Sequence, residues 1–235
     1  FLSTPEDDIA EHFEIMQRFD GERAEVAVKH FPERDCSSVV ICYIDRPGLF
    51  ASITGVLAAL NFDILNARIF TSSDGRILEV LRISHHGRPE LVMAEQKWLK
   101  FRAVLNGVLE GKIDVASLVS SSKPSLLLVR RAPKVSTVVN IDNNASDDFT
   151  IVEVFTEDRI GVLFTITYSL HQLGLSIHVA KISTNVDQVA DVFYVADQNG
   201  EKITAPEQVE TLRAFLQEKL TRPDEPSERQ AQPVH

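Results

Sequence analysis

The chain has 235 residues, enough for one large core or two small ones. Its 44% hydrophobic and 25% charged composition is that of an ordinary globular protein, and a net charge of -10 argues against partners such as nucleic acid or an anionic membrane surface. No apolar run approaches the roughly 20 residues that span a bilayer, and the acidic start "FLSTPEDDIAEH" lacks the basic region of a secretory leader, so a cytoplasmic location is expected.

The first residue is Phe1, as in a processed, trimmed or partial chain. Thr4-Pro5 opens a short helix with Ile9, Phe13 and Met16 on one face. "AEVAVKHF" and "SSVVICYI" then read as strands, with "ERDC" as a solvated turn between them. Cys42 falls in the apolar pattern and reads as a small buried hydrophobe. Two cysteines are too few for a disulfide framework or a thiolate metal site.

The stretch "IDRPGLFASITGVL" turns a strand sharply into a helix whose apolar stripe is Leu49, Ile53, Val56 and Leu60. "ILNARIFTS" and "ILEVLRIS" follow as a strand pair around the polar turn "SSDGR". A second helix carries Trp98, Phe101, Leu105 and Val108. "KIDVASLVSSSKPSLLLVRRAP" reads as a linker with some apolar content.

The series then repeats. Asp45 and Asp158 define an offset of 113 residues, at which Arg46, Gly48, Ile53, Thr54 and Leu57 meet Arg159, Gly161, Ile166, Thr167 and Leu170. At the same offset Leu60, Ile64, Ala67, Ile69 and Thr71 meet Leu173, Ile177, Ala180, Ile182 and Thr184, with no gap. The second unit comprises the strands "KVSTVVNID" and "FTIVEVF", a helix striped by Val162, Ile166, Leu170 and Leu173, the strands "SIHVAKIST" and "VADVFYVAD", and a last helix. Thr204 and Glu207 form a capping-box pattern before that helix. The polar, Pro-rich "TRPDEPSERQAQPVH" cannot supply a core strand, so the fourth strand of each unit must precede the corner. The expected fold class is α+β: two ββαββα units, each an antiparallel four-stranded sheet with two helices on one face. The expected boundaries are 1–23 for a leading helix and linker, 24–111 and 134–220 for the units, 112–133 for the linker and 221–235 for a disordered tail.

An α-amino acid presents a carboxylate and an ammonium on one carbon. The N–H groups at a helix start bind a carboxylate, and Gly48 and Gly161 permit close backbone approach there. Asp45 and Asp158 suit either the ligand ammonium or a plain N-cap role. Arg46 and Arg159 read as exposed ion-pair partners and His178 as a strand residue; His85-His86 reads as a polar strand end. None of these histidines has metal-ligand company. No catalytic constellation is visible, so the chain itself carries no enzyme motif.

These residues resemble the ACT domain, a ligand-sensing module of amino-acid metabolism: the D-R-x-G corner, its helix and "ALNFDILNARIFT" carry the likeness over roughly residues 24 to 220. The fold this implies is a ferredoxin-like sandwich for each unit. The leading helix, the two units and "STVVNIDNNASDDFTIVEVFTEDRIG" between them are together similar to the regulatory end of the bifunctional uridylyltransferase/uridylyl-removing enzymes, which modify the PII nitrogen-signalling protein. The resemblance implies glutamine as allosteric ligand, held between two units. The implied site residues are Asp45, Arg46, Pro47, Gly48, Leu49, Phe50, Ile64 and Asn66 in the first unit. In the second they are Asp158, Arg159, Ile160, Gly161, Val162, Leu163, Ile177 and Val179. It also implies pairing of units within the chain or in a homodimer, upstream catalytic domains using UTP and Mg, and PII as partner. Pro47, Asn61 and Asn66 become Ile160, Gly174 and Val179, so the two sites need not be equal. A free-standing tandem regulator and a ligand-free dimerisation module stay open as alternatives.

Overall fold

In this computed structural model the described residues are 6–84, 95–122, 136–157, 159, 161–182, 184–185 and 188–221. Helix α1 (Glu6–Arg18) precedes strands β1 (Glu25–Phe31) and β2 (Cys36–Ile44), helix α2 (Leu49–Ala59), strands β3 (Asp63–Thr71) and β4 (Arg76–Ser84), and helix α3 (Glu95–Leu109). A short helix α4 (Val115–Ser121) follows, its first turn capped by Asp114, which accepts from the Ser117 N–H at 2.7 Å. The second half contains β5 (Val138–Asp142), β6 (Thr150–Glu157), α5 (Val162–Gln172), β7 (Ser176–Lys181), β8 (Thr184–Asn185), β9 (Gln188–Ala196) and α6 (Pro206–Leu220).

The sheets run β1-β2-β4-β3 and β5-β6-β9-β7, all neighbours antiparallel, with the two-residue β8 paired to β9. Both units therefore have the expected ββαββα order, and the strand that precedes each corner strand closes its sheet. Period-two alternation sends Val39, Ile41, Ile77, Leu81 and Ile83 to the face covered by α2 and α3. There Trp98 and Phe101 are wholly buried, and Phe62 stacks on Trp98 with ring centroids 4.7 Å apart. In the second unit Val152, Val154, Phe193 and Val195 meet Ile166, Leu170, Leu212 and Leu216 in the same way. Each such side chain contributes about 1.5–3 kcal/mol of apolar burial.

Helix α1 lies on the opposite face of the first sheet, where Ile15 packs with Val40, Cys42 and Leu78. Arg76 Nη1 donates to the Met16 carbonyl at 2.8 Å and so serves the end of that helix. Cys42 is fully buried in this cluster, as its place in the apolar run required. The capping box at Thr204 does not form. The N-cap of α6 is Ala205, with no side-chain cap, because Pro206 occupies the first turn and its missing N–H needs no acceptor. The His85-His86 strand end, the helix start at Thr4-Pro5 and the stretch from 222 onward lie outside the described residues.

The units pack on each other through α2 against α5 and β3 beside β7, and one apolar core runs through both. Asn66 Nδ2 donates across this seam to the Ile182 carbonyl at 3.2 Å. The contacts are reciprocal under the repeat offset. The first corner's Gly48 lies against His171, and the second corner's Gly161 against Ala58, the repeat counterpart of His171. The chain thus has an internal near-twofold axis between α2 and α5.

Candidate functional site

Both corners close with the same hydrogen bond over a positive-φ glycine. The Leu49 N–H donates to the Arg46 carbonyl at 3.1 Å, and Gly48 sits at φ 76°, ψ 8°. The Val162 N–H donates to the Arg159 carbonyl at 3.0 Å, and Gly161 sits at φ 84°, ψ 0°. The first is a type II turn, whose third residue needs positive φ and whose second residue Pro47 presets; Gly161 meets the same positive-φ demand at the second. Gly48 and Gly161 are the N-caps, without a side-chain cap, so Asp45 does not cap α2. The Ser52 hydroxyl and the Thr165 hydroxyl each donate to the glycine carbonyl at 3.0 Å, locking the turn to the first helical turn.

The next N–H groups, of Phe50 and Ala51, come too early in α2 for an intrahelical acceptor and find none among the described residues. They stand at a cavity of about 390 Å³, within the roughly 300–1,000 Å³ of small-molecule sites. The opposite wall comes from the second unit: His171 of α5, Leu175 to His178 at the start of β7, and the turn Asp197 to Gly200. The β7 ladder slips register between Ile177 and Val179, and β3 slips at the equivalent place, between Ile64 and Asn66. A bulge takes the intervening residue, His178, out of the ladder beside the cavity. Its ring stacks on Phe149 with centroids 4.8 Å apart. Asp197 Oδ1 accepts from the N–H groups of Asn199 and Glu201, both at 2.8 Å; these bonds, that from Glu201 above all, hold its carboxyl below the usual range.

The second corner offers far less room. Thr54, Ala58, Ile64, Arg159, Gly161, Val162, Leu163 and Phe164 enclose about 30 Å³, space for about one water. Phe164 stands where the first unit has Ala51, and its ring stacks on Tyr168 at 5.1 Å and lies over Gly55 of α2.

Asp45, Arg46, Pro47, Gly48, Leu49, Phe50 and Ile177 thus come together at the first cavity. Ile64, Arg159, Gly161, Val162 and Leu163 meet at the second. Asp158 and Ile160 lie outside the described residues. Asn66 and Val179 line neither cavity: Asn66 ties the seam, and Val179 pairs with Tyr194 in the ladder. Arg46 is exposed, with its guanidinium 5.5 Å above the Tyr43 ring. Arg159 Nη2 donates to the Leu220 carbonyl at 3.0 Å, at the end of α6. The sequence reading missed Ala51, His171, His178 and the Asp197–Gly200 turn, which reach the site only through the pairing of the units.

Known proteins match along the same divisions. An "ACT domain" family model matches residues 37–97, and one described as "ACR9-like, ACT-like domain" matches residues 138–225. With the two sheets above, the chain is a tandem pair of ACT-type domains. It is similar in sequence to bifunctional uridylyltransferase/uridylyl-removing enzymes. That of Azospirillum brasilense is 35% identical over 190 residues, covering 81% of this chain and 20% of the relative. Those of Gluconobacter oxydans and Rhodopseudomonas palustris are 34% identical over 213 residues and 33% over 202, covering 89% and 83% of this chain and 22% and 21% of the relatives. The chain therefore spans about a fifth of the length of the curated relatives it matches. Among solved structures, aspartate kinase from Synechocystis aligns over 78% of this chain and 26% of its own, with 15% identity and a TM-score of 0.40. Among the described residues no helix is long and apolar enough to cross a membrane.

Proposed function

We propose that the cavity at the first corner binds a small amino acid, glutamine, and that the chain is the sensing part of a uridylyltransferase/uridylyl-removing enzyme in nitrogen regulation. One observation carries this reading: the unpaired N–H groups of Phe50 and Ala51 face, across an open cavity, a bulged strand of the other unit. The N–H groups suit the ligand carboxylate, and Asp45 at the rim suits its ammonium. The bulge and the Asp197–Gly200 turn are left to read the side chain. A ligand so placed touches both units and favours the arrangement that holds them together, which is how its binding shifts a wider equilibrium. The second corner, nearly filled, serves packing and leaves one ligand per chain.

In this reading catalytic domains that use UTP and Mg, and PII as the protein modified, belong to the rest of the enzyme, and the setting is the cytoplasm. A calorimetric titration with L-glutamine, L-glutamate and a panel of other L-amino acids tests it. Saturable binding of glutamine, one per chain, is expected. No heat and no thermal shift at millimolar glutamine would leave the pair as a dimerisation module; saturable binding of a different amino acid would favour another tandem regulator.

A further inference from the structure

We propose that Glu79 is the buried carboxyl that receives the ammonium group of the bound amino acid and gives up its proton to solvent as it does so. This rests on the reading of the first cavity as an amino-acid site. Glu79 lies mid-strand in β4, wholly buried, paired in register with Ile41 and Ile69 of the core. Neither of its carboxyl oxygens has a hydrogen-bond partner among the described residues. A core strand has no structural use for such a group, because an unsatisfied buried carboxyl costs stability.

Its position points to the corner. Ile77, one pleat away on the same face of β4, lines the cavity, and Asp45 at the rim is close enough to act on Glu79 through its charge. The second unit also buries a carboxyl at this place in its sheet. Asp191 of β9 faces Val154 as Glu79 faces Ile41, and those two partners are repeat counterparts. Asp191 is 1% exposed and lines the second cavity; at the first, Ile77 forms the wall and Glu79 lies behind it, wholly buried.

Burial, and then the nearby Asp45 charge, push the Glu79 carboxyl up to about 8, so it holds a proton at neutral pH when no cation is near. Its register partners in β2 and β3 are the apolar Ile41 and Ile69, and the charge that acts on it is that of Asp45. Arg46 at the rim is engaged over Tyr43, and His171, His178 and Asp197 belong to the far wall. A ligand ammonium between Asp45 and Glu79 supplies the missing positive charge. The Glu79 O–H bond breaks, the proton passes to buffer, and the ligand itself is chemically unchanged.

The test is calorimetry of L-glutamine on the whole chain near pH 7, in phosphate and in Tris, whose ionisation enthalpies differ. The wild type should release roughly one proton per ligand, and affinity should rise by roughly tenfold per pH unit below about 8. Glu79→Gln, isosteric with the neutral acid, should fold, bind at least roughly tenfold more weakly and release no proton. 4-Carbamoylbutanoic acid, glutamine without its amine, should bind with no proton release and be indifferent to the substitution. Glutamine binding without proton release, or release that survives in Glu79→Gln, overturns the proposal and leaves the sensing reading standing. Absence of binding by every amino acid overturns both. If Glu79→Gln does not fold, the wild-type proton count with and without the ligand amine decides.

Discussion

Thr54 and Thr167 occupy the same position of the repeat and hydrogen-bond to each other, Oγ1 to Oγ1, at 3.0 Å. A residue meets its own counterpart only on a twofold axis, so this pair marks the centre of the tandem. Both are buried, at 1% and 0% exposure, and each hydroxyl also reaches a carbonyl of its own helix: Ala51 for Thr54, Leu163 and Phe164 for Thr167. A single Thr54→Val should cost about 1 kcal/mol by stripping Thr167 of a partner. Thr54→Val with Thr167→Val should cost less than the two single changes together, because both partners become apolar at once. A double-mutant cycle by urea denaturation checks this, and strict additivity would count against the pairing.

The two corner glycines should respond differently to the same change. Alanine at either strains a positive φ, for a loss of about 1–2 kcal/mol. A Cβ at Gly161 would sit 3.9 Å from Ala58, an ordinary contact, whereas one at Gly48 would lie 2.8 Å from His171 Nε2. Gly48→Ala should therefore lose more stability than Gly161→Ala. Adding His171→Ala should recover the excess and leave the φ penalty, as thermal unfolding of the three variants would show.

Arg159 closes the second unit by donating to the Leu220 carbonyl, one of the end carbonyls that α6 itself leaves unserved among the described residues. Arg159→Ala should cost about 1 kcal/mol and raise amide exchange in the last turn of α6. Arg46→Ala, which removes only an exposed contact with Tyr43, should leave stability within about 0.5 kcal/mol.

Without ligand, Glu79 makes stability fall with pH. Its folded-state value of about 8 lies above the unfolded value of 4.5, so the unfolded chain loses its proton first. Stability from this group is whole below about pH 4.5, declines between there and about 8, and is level above. Glu79→Gln should flatten that decline and gain on the order of 2–4 kcal/mol at pH 8. Denaturant midpoints at pH 5 and pH 8 for both proteins measure it.

The repeat made much of the fold legible. Period-two strands, helical stripes and an ungapped offset defined both units, because local patterning and core facing agree along this chain. Glu79 was passed over in the sequence, although it interrupts the apolar face of Ile77, Leu81 and Ile83 in "ILEVLRIS". The site was half legible. The corner residues announced themselves through turn chemistry, whereas His171, His178 and Asp197 approach the first corner only because the units pair. Asn66 looked like a ligand contact because it is polar beside the corner helix; its amide instead spans the seam to Ile182. The inequality of the corners, about 390 Å³ against about 30 Å³, is a matter of volume and so needs three dimensions.

The central claim is that an amino acid sits at the first corner, between the units. The most direct measurement is a two-dimensional amide NMR titration of the wild-type chain with L-glutamine. Saturable shifts centred on the Phe50, Ala51 and His178 amides are predicted, with Leu163 and Phe164 little changed. No saturating shift, or shifts centred on Leu163 and Phe164 at the second corner, would contradict it.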